Sequence, residues 1–253
     1  MLKLSVVIIT LNEEKNIAKC LEALQGLTDD IIVVDSGSSD KTEEICKQFK
    51  VNFLLRKFDD YSSQKNYGNS FAKYDYILSL DADEVLSQKL FSSIEKIEFG
   101  ENEFYGFNLL NHYCGKPIRF GGWYPDRKYR IWNKNYGKWE GKIHEKIVFS
   151  KKPKRKLIKG NLLHFSFENR QVHQQKSINY AKLMAQKEFE SGKNYSYLML
   201  YLKPFYKFFS MYFLKLGFLD GKNGFFIAKT SAYASYLKVF EFFLKKKHKN
   251  NCI

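Results

Sequence analysis

Short apolar runs recur along the first hundred residues, each closed by polar or turn-forming positions. Residues 4–10, 31–34, 51–55 and 76–80 read as strands. The first is β-branched and nearly continuous, which marks a strand covered on both faces. Between the runs the spacing changes. Ile17, Ala18, Leu21 and Leu24 form a helical stripe within 13–24. Ser38, Ser39 and Asp40 are N-cap residues for a helix reaching Phe49. Helices are also predicted over 61–72 and 87–97. Strand and helix therefore alternate four times, which predicts a parallel sheet with helices on both faces.

Beyond residue 103 the alternation stops. Residues 104–110, 129–132 and 146–149 read as strands, 121–127 as a loop, and Lys151-Lys152-Pro153-Lys154-Arg155-Lys156 as a basic loop. After His164 helices are predicted over 172–190, 195–216 and 225–247. The expected division is an α/β domain over 1–167, with halves 1–110 and 111–167, followed by a helical extension over 168–253.

The polar residues that close the strands carry the chemistry. In open α/β sheets ligands bind beyond the carboxyl ends of the strands. Here those ends are Thr10-Leu11-Asn12-Glu13, Asp35-Ser36-Gly37-Ser38-Ser39-Asp40 and Asp81-Ala82-Asp83. No G-x-G-x-x-G and no Walker sequence follows the first strand, which removes most support for dinucleotide and ATP-phosphate folds. Asp81 and Asp83, two residues apart at the end of a buried strand, repel each other and cost desolvation free energy. A divalent cation relieves that cost, and hard carboxylate oxygens suit Mg²⁺ or Mn²⁺ better than zinc. Asp35 is a candidate acceptor for a ribose hydroxyl or a base N–H.

These motifs, with Gln64-Lys65-Asn66, resemble the ordered motifs of glycosyltransferase family 2, which has the GT-A fold. Trp123-Tyr124-Pro125-Asp126, Arg130, Trp139-Glu140-Gly141, Ile143-His144-Glu145 and Leu163-His164-Phe165-Ser166 are similar to the branch containing bacterial lipopolysaccharide core β-glucosyltransferases. Phe218-Leu219-Asp220-Gly221 with Gly224 echoes that branch near the end of the chain. The resemblance implies a nucleotide-sugar site made by Thr10, Asn12, Glu13, Asp35, Lys65, Asp81 and Ala82. It implies Asp83 as a metal ligand, with His164 as a further metal or diphosphate contact. Lys65 stands where arginine is usual, keeping a charge near the diphosphate without the planar fork. The implied reaction is inverting displacement at the anomeric carbon, with one carboxylate as base and a metal on the departing diphosphate. Glu145, which aligns with the family's catalytic acidic-residue position, is the candidate base, and Asp126 is the second candidate. Trp123 suits stacking on a sugar. Arg127 and Arg130 read either as phosphate contacts or as an exposed basic edge.

Charge sharpens this picture. Residues 1–100 carry 12 Lys and Arg against 17 Asp and Glu, a balance of −5; residues 101–253 carry 30 against 10, a balance of +20. A basic half implies an anionic partner. Lys203, Lys207 and Lys215 fall within one arc of an otherwise aromatic helix. That pattern suits a helix lying on an anionic bilayer, or one packed on the core. Nucleic acid is not expected as a partner, because no RNA-binding or helix-turn-helix signature is present and strand-end carboxylates without a metal repel phosphate. No apolar run is long enough to span a membrane. The first residues read as a strand rather than a secretion signal. Four scattered cysteines, Cys20, Cys46, Cys114 and Cys252, give no disulfide framework and fit a reducing compartment. The expectation is thus a UDP-hexose donor, a lipid-linked glycan acceptor of lipopolysaccharide or lipooligosaccharide core, and a peripheral position on the inner face of the bacterial inner membrane. Capsule, another surface polysaccharide or a protein side chain is the alternative acceptor.

Overall fold

The structure, a computed structural model, describes residues 2–141 and 145–251. The chain divides into two compact units. One comprises the chain up to Leu109 with Asp126–Phe165, and the other comprises Leu110–Pro125 with the chain from Ser166 onward. The segment 110–125 therefore belongs with the C-terminal helices. The division differs there from the expected 1–167 and 168–253.

The first unit is α/β. Its parallel part is β1 (Ser5–Thr10), β2 (Asp30–Asp35), β3 (Asn52–Leu55) and β4 (Tyr76–Asp81), with α1 (Ile17–Glu22), α2 (Thr42–Cys46) and α3 (Tyr61–Ser70) in the crossovers. Val6, Val7 and Ile8 of β1 have no exposed surface. Each such side chain contributes about 1.5–3 kcal/mol by leaving water. Gly68 lets α3 lie directly on the sheet, because a Cβ there would meet Val7 Cγ1 at 2.5 Å and Val34 Cγ2 at 2.8 Å. Register aligns the strand ends: Thr10 pairs with Asp35, and Ile9 with Asp81.

The sheet then changes direction. After β5 (Glu84–Leu86) and α4 (Gln88–Glu95) come β6 (Glu103–Tyr113), β7 (Lys116–Pro117), β8 (Asp126–Asn133), the hairpin of β9 (Gly137–Glu140) and β10 (Lys146–Phe149), and β11 (Lys154–Phe167). The strand order is β3-β2-β1-β4-β8-β6-β11-β5. The pairings of β4 with β8, β8 with β6 and β11 with β5 are antiparallel. The sheet is thus mixed rather than mostly parallel. Half of it is built by meander and return strands that need no crossover helix. The basic stretch expected as a loop opens the 14-residue β11. Lys154, Arg155 and Lys156 are exposed, so this end of the strand shows no apolar face in its sequence.

Two helix expectations also shorten. The helix expected from Ser38 to Phe49 is the five-residue α2, because Ser38 and Asp40 are drawn into hydrogen bonds with the preceding loop. The helix expected over 195–216 is α6 (Met199–Phe209) followed by a π-helical turn at Ser210–Leu214, and it ends where Leu216 adopts a left-handed conformation.

The second unit contains α5 (Arg170–Glu190), α6 and α7 (Gly221–Asn251). Tyr113, Ile118, Met211, Ile227 and Ala228 form one core cluster, and Tyr195, Val239 and Phe242 another. The Asp220 carboxylate accepts from the backbone N–H groups of Arg119 and Phe120 at 3.2 and 2.9 Å. A Cβ on Gly224 would lie 1.8 Å from the Gly217 carbonyl oxygen, so only glycine fits that crossing. The late motif around Asp220 thus holds this unit together. Among the described residues no helix is long and apolar enough to cross a membrane.

Candidate functional site

A cavity of about 470 Å³ opens at the carboxyl ends of β1 and β4. Thr10, Glu13, Ser36, Lys65, Asp81, Ala82, Asp83, Glu145 and His164 border it, together with Phe58 and Tyr61. Residues from six separated segments therefore meet there. The Thr10 hydroxyl is buried with no hydrogen-bond partner, and Asp81 Oδ1 likewise has none. Both are capacity left for a ligand.

The acidic wall is neutralised by the protein itself. Lys65 Nζ lies 3.6 Å from Asp81 Oδ1, and the Arg130 guanidinium lies 3.5 Å from both Asp81 and Glu84. His164 Nε2 lies 3.2 Å from Asp83 Oδ2. The cation expected to relieve the Asp81–Asp83 repulsion thus has competitors in Lys65, Arg130 and His164. Burial pushes the Asp81 carboxyl upward, yet Lys65, Arg130 and His164 outweigh it and hold its pKa below the ordinary value. Glu84, fully enclosed, is pushed up to about 7 by burial and by Asp81, with Arg130 opposing. Burial would lower His164, but the hydrogen bond and charge of Asp83, with Glu84 and Asp81 behind it, raise it.

Backbone pairing explains these meetings. β8 runs antiparallel to β4 with Leu78 opposite Ile131, which carries Arg130 alongside the end of β4. β11 sets His164 opposite Glu84, and the Phe165 N–H donates to the Asp83 carbonyl at 3.0 Å. Glu84 Oε2 accepts from the Asp81 N–H at 2.9 Å, which fixes the turn between the two aspartates.

Several expected site residues are occupied elsewhere. Asp35 is 2% exposed, and its carboxylate accepts from the N–H groups of Gly37 and Ser38, both at 2.7 Å, and from the Ser38 hydroxyl. It shapes the loop after β2 and does not border the cavity. Asn12, with φ +55°, accepts from Ser39 N–H at 2.8 Å and stitches the two loops together. Arg130, its side chain 12% exposed, is a counter-charge to Asp81 and Glu84 rather than part of an exposed basic edge. Asp126 pairs with Lys128 at 3.1 Å and is absent from the cavity wall, as is exposed Arg127. Trp123 packs edge-on against Tyr113 and His173 within the helical unit, instead of standing free for a sugar. Ile143 and His144 of the quoted motif lie outside the described residues.

Phe58, Tyr61, Ser36 and Glu84 were missed. Phe58 and Tyr61 form an edge-to-face pair at 5.1 Å, both partly exposed on the rim. Tyr61 at the first position of α3 beside another aromatic was the available signal. Glu84 gave none.

A metal fits this wall in part. Asp83 and Asp81 offer carboxylate oxygens and His164 an imidazole, a donor set compatible with Mn²⁺ and, through the oxygens, with Mg²⁺. Among the described residues no group of three or more His, Cys, Asp or Glu side chains is arranged as a metal site. An ion held by one or two of them has its other coordination positions open to a ligand.

Residues 5–158 match the sequence profile of Glycosyl transferase family 2. An uncharacterized glycosyltransferase of Rickettsia typhi is 31% identical over 94% of this chain and 86% of its own length. The lipopolysaccharide core biosynthesis glycosyltransferase LpsC of Rhizobium meliloti is 28% identical over 93% of this chain and 90% of its own. Among solved structures, S. aureus TarS aligns over 44% of this chain and 22% of that chain, with 23% identity and a TM-score of 0.37. The α/β fold carries the GT-A arrangement implied by the motifs, and the chain belongs to Glycosyl transferase family 2.

Proposed function

We propose that this protein is a metal-dependent, inverting glycosyltransferase that moves a hexose, glucose from UDP-glucose, onto the core of lipopolysaccharide or lipooligosaccharide. The observation that carries the reading is the convergence of Asp81, Asp83, His164 and Glu145 on one cavity at the strand ends. Likeness to LpsC along nearly the whole chain supports the acceptor class.

Thr10, with its unpartnered hydroxyl, Glu13 and Ser36 line the end of the cavity suited to the nucleotide, and Phe58 and Tyr61 offer apolar rims. Asp83, with Asp81 or His164, would hold Mg²⁺ or Mn²⁺. When bound, the ion supplies positive charge against the departing diphosphate. Glu145 accepts the proton of the acceptor hydroxyl as that oxygen bonds to the anomeric carbon. The bond from that carbon to the diphosphate oxygen breaks, and configuration inverts. Lys65, with Arg130 and His164, keeps Asp81 ionised.

The helical unit supports a peripheral position on the inner face of the inner membrane. Leu198, Tyr201, Leu202, Phe205, Tyr206 and Phe209 recur at helical spacing, and all are exposed. An apolar stripe turned outward, with Lys203 and Lys207 on the same helix, fits an anionic bilayer interface.

The test is calorimetry of a panel of sugar nucleotides with Mn²⁺, followed by transfer to purified core oligosaccharide. UDP-glucose is expected to give heat and product. Glu145→Gln is expected to bind donor normally and to lose transfer by about 100-fold or more. No heat with any activated sugar would overturn the reading, and near-normal turnover of Glu145→Gln would remove Glu145 from it.

A further inference from the structure

One face of α3 is spent on the β9–β10 hairpin. Ser62, Lys65 and Asn66 stand at i, i+3 and i+4, so they project from the same side of the helix. The Ser62 hydroxyl donates to the Gly141 carbonyl at 2.6 Å. Asn66 makes a two-way bond with the backbone of Trp139: its Nδ2 donates to the carbonyl at 2.8 Å, and its Oδ1 accepts from the N–H at 3.0 Å. Lys65 Nζ lies 3.1 Å from Glu145 Oε1. The hairpin strand and the residue leading into β10 are thus fixed to α3 by side chains rather than by the sheet ladder. β9 and β10 pair only with each other in a separate two-stranded sheet.

Lys65 has its own constraint. It is 1% exposed. Its ammonium faces Glu145, Asp81 at 3.6 Å, and the Trp139 ring at 4.5 Å. One N–H is hydrogen-bonded to Glu145, the Asp81 carboxylate stands at ion-pair distance, and the Trp139 ring covers a further side of the ammonium. Although Lys65 borders the cavity, its charge is committed before any diphosphate arrives. A phosphate ligand needs a free head, whereas a strut between two carboxylates does not.

We infer that Ser62, Lys65 and Asn66 form a clamp that positions the Glu145 carboxylate over the cavity, and that Lys65 is a positioning residue rather than a diphosphate ligand. The inference rests on the reading of Glu145 as the base. Asn66 and Ser62 set the height of the hairpin on α3, and Lys65 sets the carboxylate relative to Asp81. The clamp therefore links proton acceptance to the diphosphate end of the same cavity through one buried cation. A base held in place costs no ordering when the acceptor binds, so the contribution falls on turnover and not on donor affinity.

The experiment compares Lys65→Met, Asn66→Ala, Glu145→Gln and the Lys65→Met/Glu145→Gln pair. It reads kcat, donor KM and the calorimetric Kd for UDP with Mn²⁺. Lys65→Met is expected to lower kcat about 100-fold while KM and the UDP Kd stay within about twofold. Asn66→Ala, which keeps the lysine, is expected to lower kcat in the same way with UDP affinity unchanged. On the Glu145→Gln background, Lys65→Met is expected to cost less than about twofold further, because residues acting as one unit are not additive. A tenfold or greater loss of UDP affinity in Lys65→Met, alongside an inactive Glu145→Gln, overturns the inference alone. Turnover of Lys65→Met within about threefold of the parent also overturns it. Near-normal turnover of Glu145→Gln overturns the reading of Glu145, and the inference with it.

Discussion

Glu188 of α5 allows a stability prediction that is independent of the cavity. Its carboxylate receives Lys193 Nζ at 2.7 Å, Lys238 Nζ of α7 at 3.1 Å and the Tyr195 hydroxyl at 2.5 Å, with its own side chain 12% exposed. Burial would raise its pKa. The hydrogen bonds from Lys193, Tyr195 and Lys238 outweigh that and hold it at about 2, against an ordinary 4.5. A folded-state pKa below the unfolded one means the unfolded chain binds more protons between those values, so stability rises with pH there. At about 1.4 kcal/mol per unit the difference amounts to about 3 kcal/mol at pH 7. Half-exposed Lys193 is screened by solvent, which brings the expectation to about 2 kcal/mol. Glu188→Gln keeps the acceptor for Tyr195 and removes the charge. Its Tm at pH 7 is expected to fall by about 4–8 °C for a protein of this size. Thermal unfolding followed by far-UV circular dichroism across pH 7 to 3 tests this. The gap between variant and parent is expected to be full above pH 4.5 and to shrink as pH falls toward 2. A gap that stays constant, or widens on acidification, refutes the reasoning.

Gly224→Ala, which forces a methyl to within 1.8 Å of the Gly217 oxygen, is expected to cost about 3 kcal/mol or to abolish soluble expression, read by thermal unfolding. Arg130→Met strips Asp81 and Glu84 of a buried counter-charge and is expected to destabilise by about 3–5 kcal/mol in urea unfolding. Chelation of divalent metal is expected to remove the calorimetric heat of UDP-glucose binding, and Mn²⁺ or Mg²⁺ to restore it. Vesicles containing phosphatidylglycerol are expected to float the protein, and Phe205→Glu with Tyr206→Glu to abolish flotation without loss of sugar-nucleotide binding.

Much of the cavity wall was legible because buried parallel strands announce themselves as apolar runs, and the residues ending them fall at one edge. Thr10, Asp81, Ala82 and Asp83 all border the cavity. What the pattern hides is how each polar group is satisfied. Asp35 looks like an open carboxylate, but Gly37 and Ser38 turn their N–H groups back onto it. Arg130 looks exposed because Arg127 and Lys128 closely precede it, yet antiparallel pairing carries it alongside the end of β4. The contact of Lys65 with Glu145 spans 80 residues, and no local spacing encodes it. Strand β11 was hidden because its first turnings are basic, and because its partner β5 is only three residues long.

The return of β11 to β5 has a consequence for how the protein is made. β5 contributes its three residues early, but its neighbour is not synthesised until Leu162, Leu163 and His164. The parallel strands can find one another while later residues are still inside the ribosome, whereas the acidic turn stays open at its edge until nearly two thirds of the chain has emerged. A shortened version cut at residue 158, where the family match stops, would leave that turn without its imidazole and that edge without a lid of backbone. Trimming for expression should therefore leave Phe167 in place.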